Sequence, residues 1–349
     1  MEKGVFVMEG TGLVLSGGGG KGIYQVGILK SLAAAGLLDD VVAVSGSSIG
    51  GINAVLFAEG VAEGGVSRAI EQMEEVWNEI DLGVIFNFDY SKIQAGDMHF
   101  SRKKTEELID KYLTYDLFKT TEDKSMMPVF VTGARCPEGI VSSEQVTQEE
   151  MKLIMSASVE DTYRDYVIEY FKLNDQDNGF IRSALLATTS LPVIFSPVDV
   201  NGSLYVDGGM KDNSPIKPLY DLGIRRFIVV ELSTTTYVKD MNAFADAEII
   251  DILSSVDLGQ LLSGTLNFDK QDLAFKKTLG ELDGKRYIKT LFEKDEAYIA
   301  MEKQLAKMDY DHALQMQKFN SNYDSLSSTV NDRFDYIKNL EESLKKYDI

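Results

Sequence analysis

The chain has 349 residues, enough for one large α/β domain with an appendage, or for two domains of about 150 residues each. Hydrophobic residues make up 44% and charged residues 26%, ordinary globular usage that excludes a disordered tail protein. The 35 Lys and Arg against 55 Asp and Glu leave a net charge of −20, which excludes nucleic acid as an expected partner and disfavours standing adsorption to anionic lipid.

Leu13-Val14-Leu15 is a short apolar run of the kind that forms a strand buried on both faces. It ends in Ser16 and the run Gly17-Gly18-Gly19-Gly20-Lys21-Gly22, after which Ile23, Val26, Leu29, Leu32 and Ala33 recur at helical spacing. Gly36 is positioned to stop that helix as a left-handed cap. Val41-Val42-Ala43-Val44 predicts a second strand, followed by a Gly/Ser turn and an apolar helix through Ala54-Val55-Leu56-Phe57-Ala58. The 18 uncharged residues from Val41 to Ala58 just reach membrane-spanning length, but their Ser, Gly and Asn content reads as strand, turn and helix. Strand, helix, strand, helix predicts an α/β fold with a mostly parallel sheet and right-handed crossovers.

Further along, 66–80 and 101–114 are predicted helices, the second with Ser101 as N-cap. Between them Val84-Ile85-Phe86-Asn87-Phe88 is uncharged and aromatic, a lid candidate or equally a core strand. Pro128 to Thr132 and Tyr166 to Leu173 are predicted strands. Asn174 to Gly179 superficially suggests a calcium loop, but Leu185 stands where the bidentate Glu is required, so it is read as a turn. Leu204-Tyr205-Val206 and Phe227 to Val230 are strands bracketing Asp207-Gly208-Gly209. From about residue 240 the chain reads as Lys/Glu/Asp-rich helix, and apolar residues from Tyr298 to Leu344 step by three or four in one stripe. Such a stripe packs on a core or on a second copy of the chain, so a homo-oligomer through this region is one expectation. A division follows, with a motif-bearing domain at 10–235 and a helical region at 240–349. Cys136 is the only cysteine, which excludes a disulfide framework or a Cys-built metal site. Glu9 interrupts the N-terminal apolar run, so a cytoplasmic location is expected.

Gly46-Ser47-Ser48-Ile49-Gly50 matches Gly-x-Ser-x-Gly between a predicted strand and helix, the context in which a strained turn lifts a serine hydroxyl above a sheet edge. Ser48 occupies the nucleophile position; Ser47 is the fallback. The glycine run Gly17 to Gly22 lies at the preceding strand end, on the same sheet edge, where backbone N–H groups can face a developing oxyanion and Lys21 adds positive potential. Gly17, Gly19 and Gly22 also satisfy a dinucleotide fingerprint, but Asp39 and Asp40 precede the next strand instead of following it. A nucleotide-dependent oxidoreductase is therefore the weaker alternative. His99 precedes any acid in the chain order of a Ser-Asp-His triad, and His312 lies on the apolar stripe. The base candidate is instead Asp207, on a strand-end turn whose Gly208 and Gly209 permit crowding, and whose desolvation would raise its basicity.

Taken in order and spacing, these segments resemble the patatin-like phospholipase family over roughly residues 10–232. Ala187-Thr188-Thr189-Ser190-Leu191-Pro192 before Asp207, and Asn213-Ser214-Pro215 after it, resemble that family too. The resemblance implies a three-layer α/β/α sandwich and lipid acyl ester hydrolysis by a Ser48–Asp207 dyad, with no metal or other cofactor. It places the oxyanion hole at Gly17, Gly18, Gly19, Gly20, Lys21, Gly22 and Ile49, and the elbow between Gly46 and Gly50. Two departures stand out. Ser16 replaces the Asp common before the glycine run, and Ile49 follows the nucleophile where the family commonly has Ala, which narrows the space there. The implied partner is a lipid or acyl-ester substrate, met through transient contact with a membrane or micelle. A scaffold that keeps the shape and acts as a non-catalytic interaction protein is the other alternative.

Overall fold

A computed structural model of the chain describes residues 8–79, 103–121, 126–137, 164–192 and 194–301, together with 303–304, 307–308, 315–316 and 318–319. The lid candidate at 84–88, Ser101, His99 and His312 lie outside the described residues, as does most of the C-terminal stripe. Of that stripe, Met301, Met308, Met316 and Phe319 are described and exposed. One compact unit ends at Tyr287, and the chain from Ile288 forms a second, which opens with a π turn at Ile288–Phe292. No helix among the described residues is long and apolar enough to cross a membrane.

The first unit is built on an eight-stranded sheet. Its strands are β1 (Thr11–Leu15), β2 (Val41–Gly46), β3 (Val129–Arg135), β4 (Val167–Lys172), β5 (Val198–Val200), β6 (Ser203–Asp207), β7 (Arg226–Val230) and β8 (Glu248–Ile252). The order is β5-β6-β3-β2-β1-β7-β8, with β4 also paired to β3. The pairs from β3 through β2, β1 and β7 to β8 are parallel; β4, β5 and β6 join antiparallel. The sheet is therefore mixed but mostly parallel at its centre, in keeping with the sequence expectation. The exception is β8, in a region that reads as helix. Ile249, Ile250 and Ile252 extend the parallel sheet beside β7, although Glu248 and Asp251 break up the apolar run that marks β1 and β7.

Every residue of β1 is buried, as a central parallel strand requires. Because side chains alternate across the sheet, Val14, Ala43, Phe227 and Val229 form one cluster with Ile216, Leu219 and Ile224 around helix α6 (Lys217–Asp221). The opposite face receives α2 (Ile49–Gly64), which passes over β1, β2 and β3. Helix α1 (Ile23–Ala34) ends before Gly36, whose φ of 70° is the left-handed cap read from sequence. It packs on α3 (Val66–Glu79) and most extensively on α7 (Lys270–Tyr287), where a Cβ on either Gly27 or Gly280 would run into the other helix's backbone. The chain past residue 240 thus contributes both a strand and a helix to this unit. Helices α4 (Lys103–Tyr112) and α5 (Asn178–Thr188) complete the described helices used below, and Asp177 caps α5 through the Phe180 N–H at 3.0 Å.

Candidate active site

Residues 48 and 207 meet because two strands end against the same stretch of β3. β2 pairs with β3 through Gly46 opposite Val131, and β6 approaches from the other direction with Asp207 opposite Gly133. Thr132 lies between these two tips. Its hydroxyl shares a 2.7 Å hydrogen bond with Ser47 Oγ, and a Cβ on Gly208 would strike its side chain. The fallback serine is thereby used internally: Ser47 is fully buried on Thr132.

Ser48 stands at φ 53° and ψ −127°, a left-handed conformation that non-glycine residues avoid. Strain of this kind costs about 1–3 kcal/mol and persists where the surroundings over-determine it. Here they do: a Cβ on Gly46 would enter the Gly50 carbonyl, and one on Gly50 the Leu15 carbonyl. The Ser48 N–H donates to Thr188 Oγ1 at 3.0 Å, pinning the turn from the far side. Ile49 begins α2, so its N–H is among the donors that a helix start leaves without an intrahelical acceptor.

Asp207 is almost fully buried, and burial pushes its carboxyl up to about 7 against an ordinary 3.8. Two neighbours partly offset that burial: the Ser48 hydroxyl, which lies beside the carboxyl, and the Gly209 N–H, which donates to Oδ1 at 2.8 Å. A serine hydroxyl thus stands beside a carboxyl poised near neutrality in a desolvated site.

The glycine run divides by role. Gly17, Gly18, Gly19 and Lys21 line the cavity that opens over Ser48. The Gly17 N–H is already donated to Asn213 Oδ1 at 3.1 Å, while Asn213 Nδ2 donates back to Gly17 O at 3.2 Å. Gly20 and Gly22 are buried away from the cavity, against the Asn267 carbonyl and the Ile49 and Trp77 side chains. Gly19, at φ 56°, is pressed on the Thr265 carbonyl. Burial lowers the Lys21 ammonium from its ordinary value, Asp257 opposes that, and Lys276 adds to it.

Several residues that build the site carry no motif. Trp77 Nε1 donates to Asn53 Oδ1 at 2.9 Å, and Asn53 Nδ2 donates to Gln25 Oε1 at 2.8 Å and to the Gly22 carbonyl at 3.0 Å. Gln25 Nε2 in turn donates to Ser16 O at 2.8 Å, so α1, α2 and α3 hold the glycine loop through one buried chain of amides. Ser16 itself donates to Val230 O and accepts from the Leu232 N–H at 2.9 Å, tying the ends of β1 and β7. Glu231 is fully buried at the end of β7, held by the Tyr237 N–H at 3.0 Å and the Ser214 hydroxyl at 2.8 Å. Burial pushes its carboxyl up to about 7. Uncharged buried amides and hydroxyls are also common in ordinary cores, so only their spacing behind the two strand ends distinguishes them.

The cavity has a volume of about 640 Å³. Ser48, Asp207, Asn213 and the glycine loop make one polar region, and Ile52, Val55, Leu56, Val76, Leu108 and Ile109 an apolar channel leading from it. A few convergent polar groups at the head of an apolar cavity are the usual form of a small-ligand site. Among the described residues no cluster of three or more His, Cys, Asp or Glu is placed to hold a metal ion.

Comparison with known proteins adds the following. A lysophospholipase NTE1 of Cryptococcus neoformans is 26% identical over 228 residues, and one of Candida albicans 24% identical over 242. These stretches cover 64% and 67% of this chain but only 11% and 14% of those proteins, so the chain spans a small part of the curated relatives it matches. The crystal structure of VipD from Legionella pneumophila aligns over 81% of this chain and 67% of its own, at 14% identity and a TM-score of 0.41. The model of the patatin-like phospholipase family matches residues 13–220, which take in the glycine run, the Ser48 elbow and Asp207. The chain belongs to the patatin-like phospholipase family.

Proposed function

We propose that the protein hydrolyses acyl esters of lipids with a Ser48–Asp207 dyad. The observation that carries the reading is Ser48 itself: strained at positive φ, placed beside a buried Asp207 whose carboxyl it influences, and set at the polar head of an apolar cavity. In this reading the Ser48 oxygen attacks the ester carbonyl while its proton passes to Asp207. The N–H groups of Gly18, Gly19 and Ile49 receive the negative oxygen of the tetrahedral intermediate, each worth roughly 3 kcal/mol of transition-state stabilisation. Asp207 returns the proton to the departing alkoxide, leaving an acyl group on Ser48. Water then attacks that ester, Asp207 taking its proton and passing it back to Ser48.

The apolar channel takes the acyl chain. The patatin-like family and the lysophospholipase relatives support a lipid or lysolipid as its source. The test is covalent labelling with a fluorophosphonate, with Ser48→Ala run beside the wild type. The expected result is stoichiometric labelling that vanishes in the variant. A folded wild-type protein that takes up no label, with or without detergent micelles, would overturn the hydrolase reading in favour of a non-catalytic scaffold.

A further inference from the structure

The apolar channel does not end in an apolar wall. Ile49, Ile52, Val55, Leu56 and Glu59 share one face of α2 at helical spacing, and all five line the cavity. Glu59 follows Ser48 by eleven residues, so a rise of 1.5 Å per residue sets it about 16 Å along the helix axis, the length of a chain of about a dozen methylenes. Its side chain is fully buried. Oε1 accepts the Thr114 N–H at 2.7 Å, just past the end of α4, and Oε2 is buried with no hydrogen-bond partner among the described residues. Burial pushes this carboxyl up to about 8; the Thr114 bond opposes the rise and nearby Glu63 adds to it, so the group is mostly a neutral acid at pH 7.

A buried oxygen left unpaired costs free energy, and proteins tolerate few. A carboxylic acid that lines an apolar cavity with one oxygen committed to the backbone and the other unpaired is a hydrogen-bonding group awaiting a partner. We propose that Glu59 forms the terminal subsite of this channel and selects acyl chains that carry a hydroxyl about twelve carbons from the ester carbonyl. This rests on the acyl-hydrolase reading for the placement of the carbonyl at Ser48. The channel walls pair with the methylenes, Glu59 donates its O–H to the distal hydroxyl oxygen, and an unsubstituted chain of the same length leaves that donor unmatched.

The test uses the full chain and three p-nitrophenyl esters: dodecanoate, 6-hydroxydodecanoate and 12-hydroxydodecanoate. Binding of the matching N-methyl amides to Ser48→Ala provides a readout independent of turnover. The expected result is that the 12-hydroxy compound is favoured over dodecanoate about tenfold more in wild type than in Glu59→Leu. Glu59→Gln, which keeps both the acceptor for Thr114 and a donor toward the channel, should retain the preference. The 6-hydroxy compound, which buries its hydroxyl against Leu and Ile side chains, should be disfavoured, a comparison that needs no variant at Glu59. An equal 12-hydroxy to dodecanoate ratio in wild type and Glu59→Leu, no preference of wild type for the 12- over the 6-position, or no binding of any amide would each overturn the inference. Amides bound with the expected preference but no ester hydrolysed would leave the subsite standing and remove the hydrolase reading instead.

Discussion

If Asp207 is the base, the reactivity of Ser48 follows its ionisation. Burial moves that carboxyl from 3.8 to about 7, so at pH 5 only about 1% is in the basic form and labelling by a fluorophosphonate slows about tenfold per pH unit below 7. The same displacement has a thermodynamic signature. Between pH 4 and 7 the native state holds a proton on Asp207 that the unfolded chain has released, so the unfolded state binds fewer protons and stability falls as pH rises. At about 1.4 kcal/mol per pH unit, the raised pKa of Asp207 costs the fold up to about 4 kcal/mol at pH 8, where the group must ionise in place, about 2 kcal/mol at pH 5, where it stays protonated while the unfolded chain ionises, and nothing below about pH 3. Asp207→Asn removes that cost together with the base. The variant should therefore take up no label and yet resist urea better than wild type at pH 8, with the gap halving by pH 5. Glu59 and Glu231 titrate in the same range, since their carboxyls are raised to about 8 and about 7, so only the wild-type minus variant difference isolates Asp207. The assays are labelling rate by gel fluorescence from pH 5 to 9 and urea midpoints at pH 5 and 8. A flat labelling profile, or an Asn variant that labels at the wild-type rate, refutes the dyad; a variant weaker than wild type at pH 8 refutes the desolvation argument.

Three further outcomes are expected. Asn213→Ala removes both hydrogen bonds to Gly17 and frees the glycine loop, so kcat should drop about ten- to a hundredfold with KM changed little, measured on a short-chain ester. Leu108→Trp, from a half-buried position on α4, should fill the channel and cut kcat/KM for a dodecanoyl ester at least about tenfold more than for a butyrate; equal losses would place the acyl chain elsewhere. Trp77→Phe keeps the ring packing but leaves Asn53 Oδ1 without its donor, so a loss of about 1–3 kcal/mol is expected in urea unfolding at constant m-value.

Much of this protein is written locally. Leu13-Val14-Leu15 and Phe227 to Val230 are apolar throughout because parallel strands are covered on both faces, and Gly36 marks a helix end because its φ of 70° suits glycine. The Gly46–Gly50 turn is legible for the same reason: a close approach of backbones excludes every side chain, so the glycines are visible without the fold. β8 was not legible, since Glu248 and Asp251 are tolerated on a partly exposed edge strand beside β7 and disguise its period. Nor was α7 as part of this unit, because its low amphipathicity hides the Gly280 groove that receives α1.

The candidate residues were legible from local pattern: a serine on a strand-end elbow, a glycine run on the same sheet edge, and an Asp-Gly-Gly turn. That Ser48 and Asp207 come side by side depends on the fold, because β2 and β6 end against the same three residues of β3. The tertiary structure alone decided that Gly17 is clamped by Asn213, 196 positions away, and that Gly20 and Gly22 serve packing. The physical reason is the range of the forces involved. A turn's conformation is set by the few residues within it, whereas desolvation of a carboxyl depends on everything folded around it, and that surrounding is assembled from segments no local pattern links.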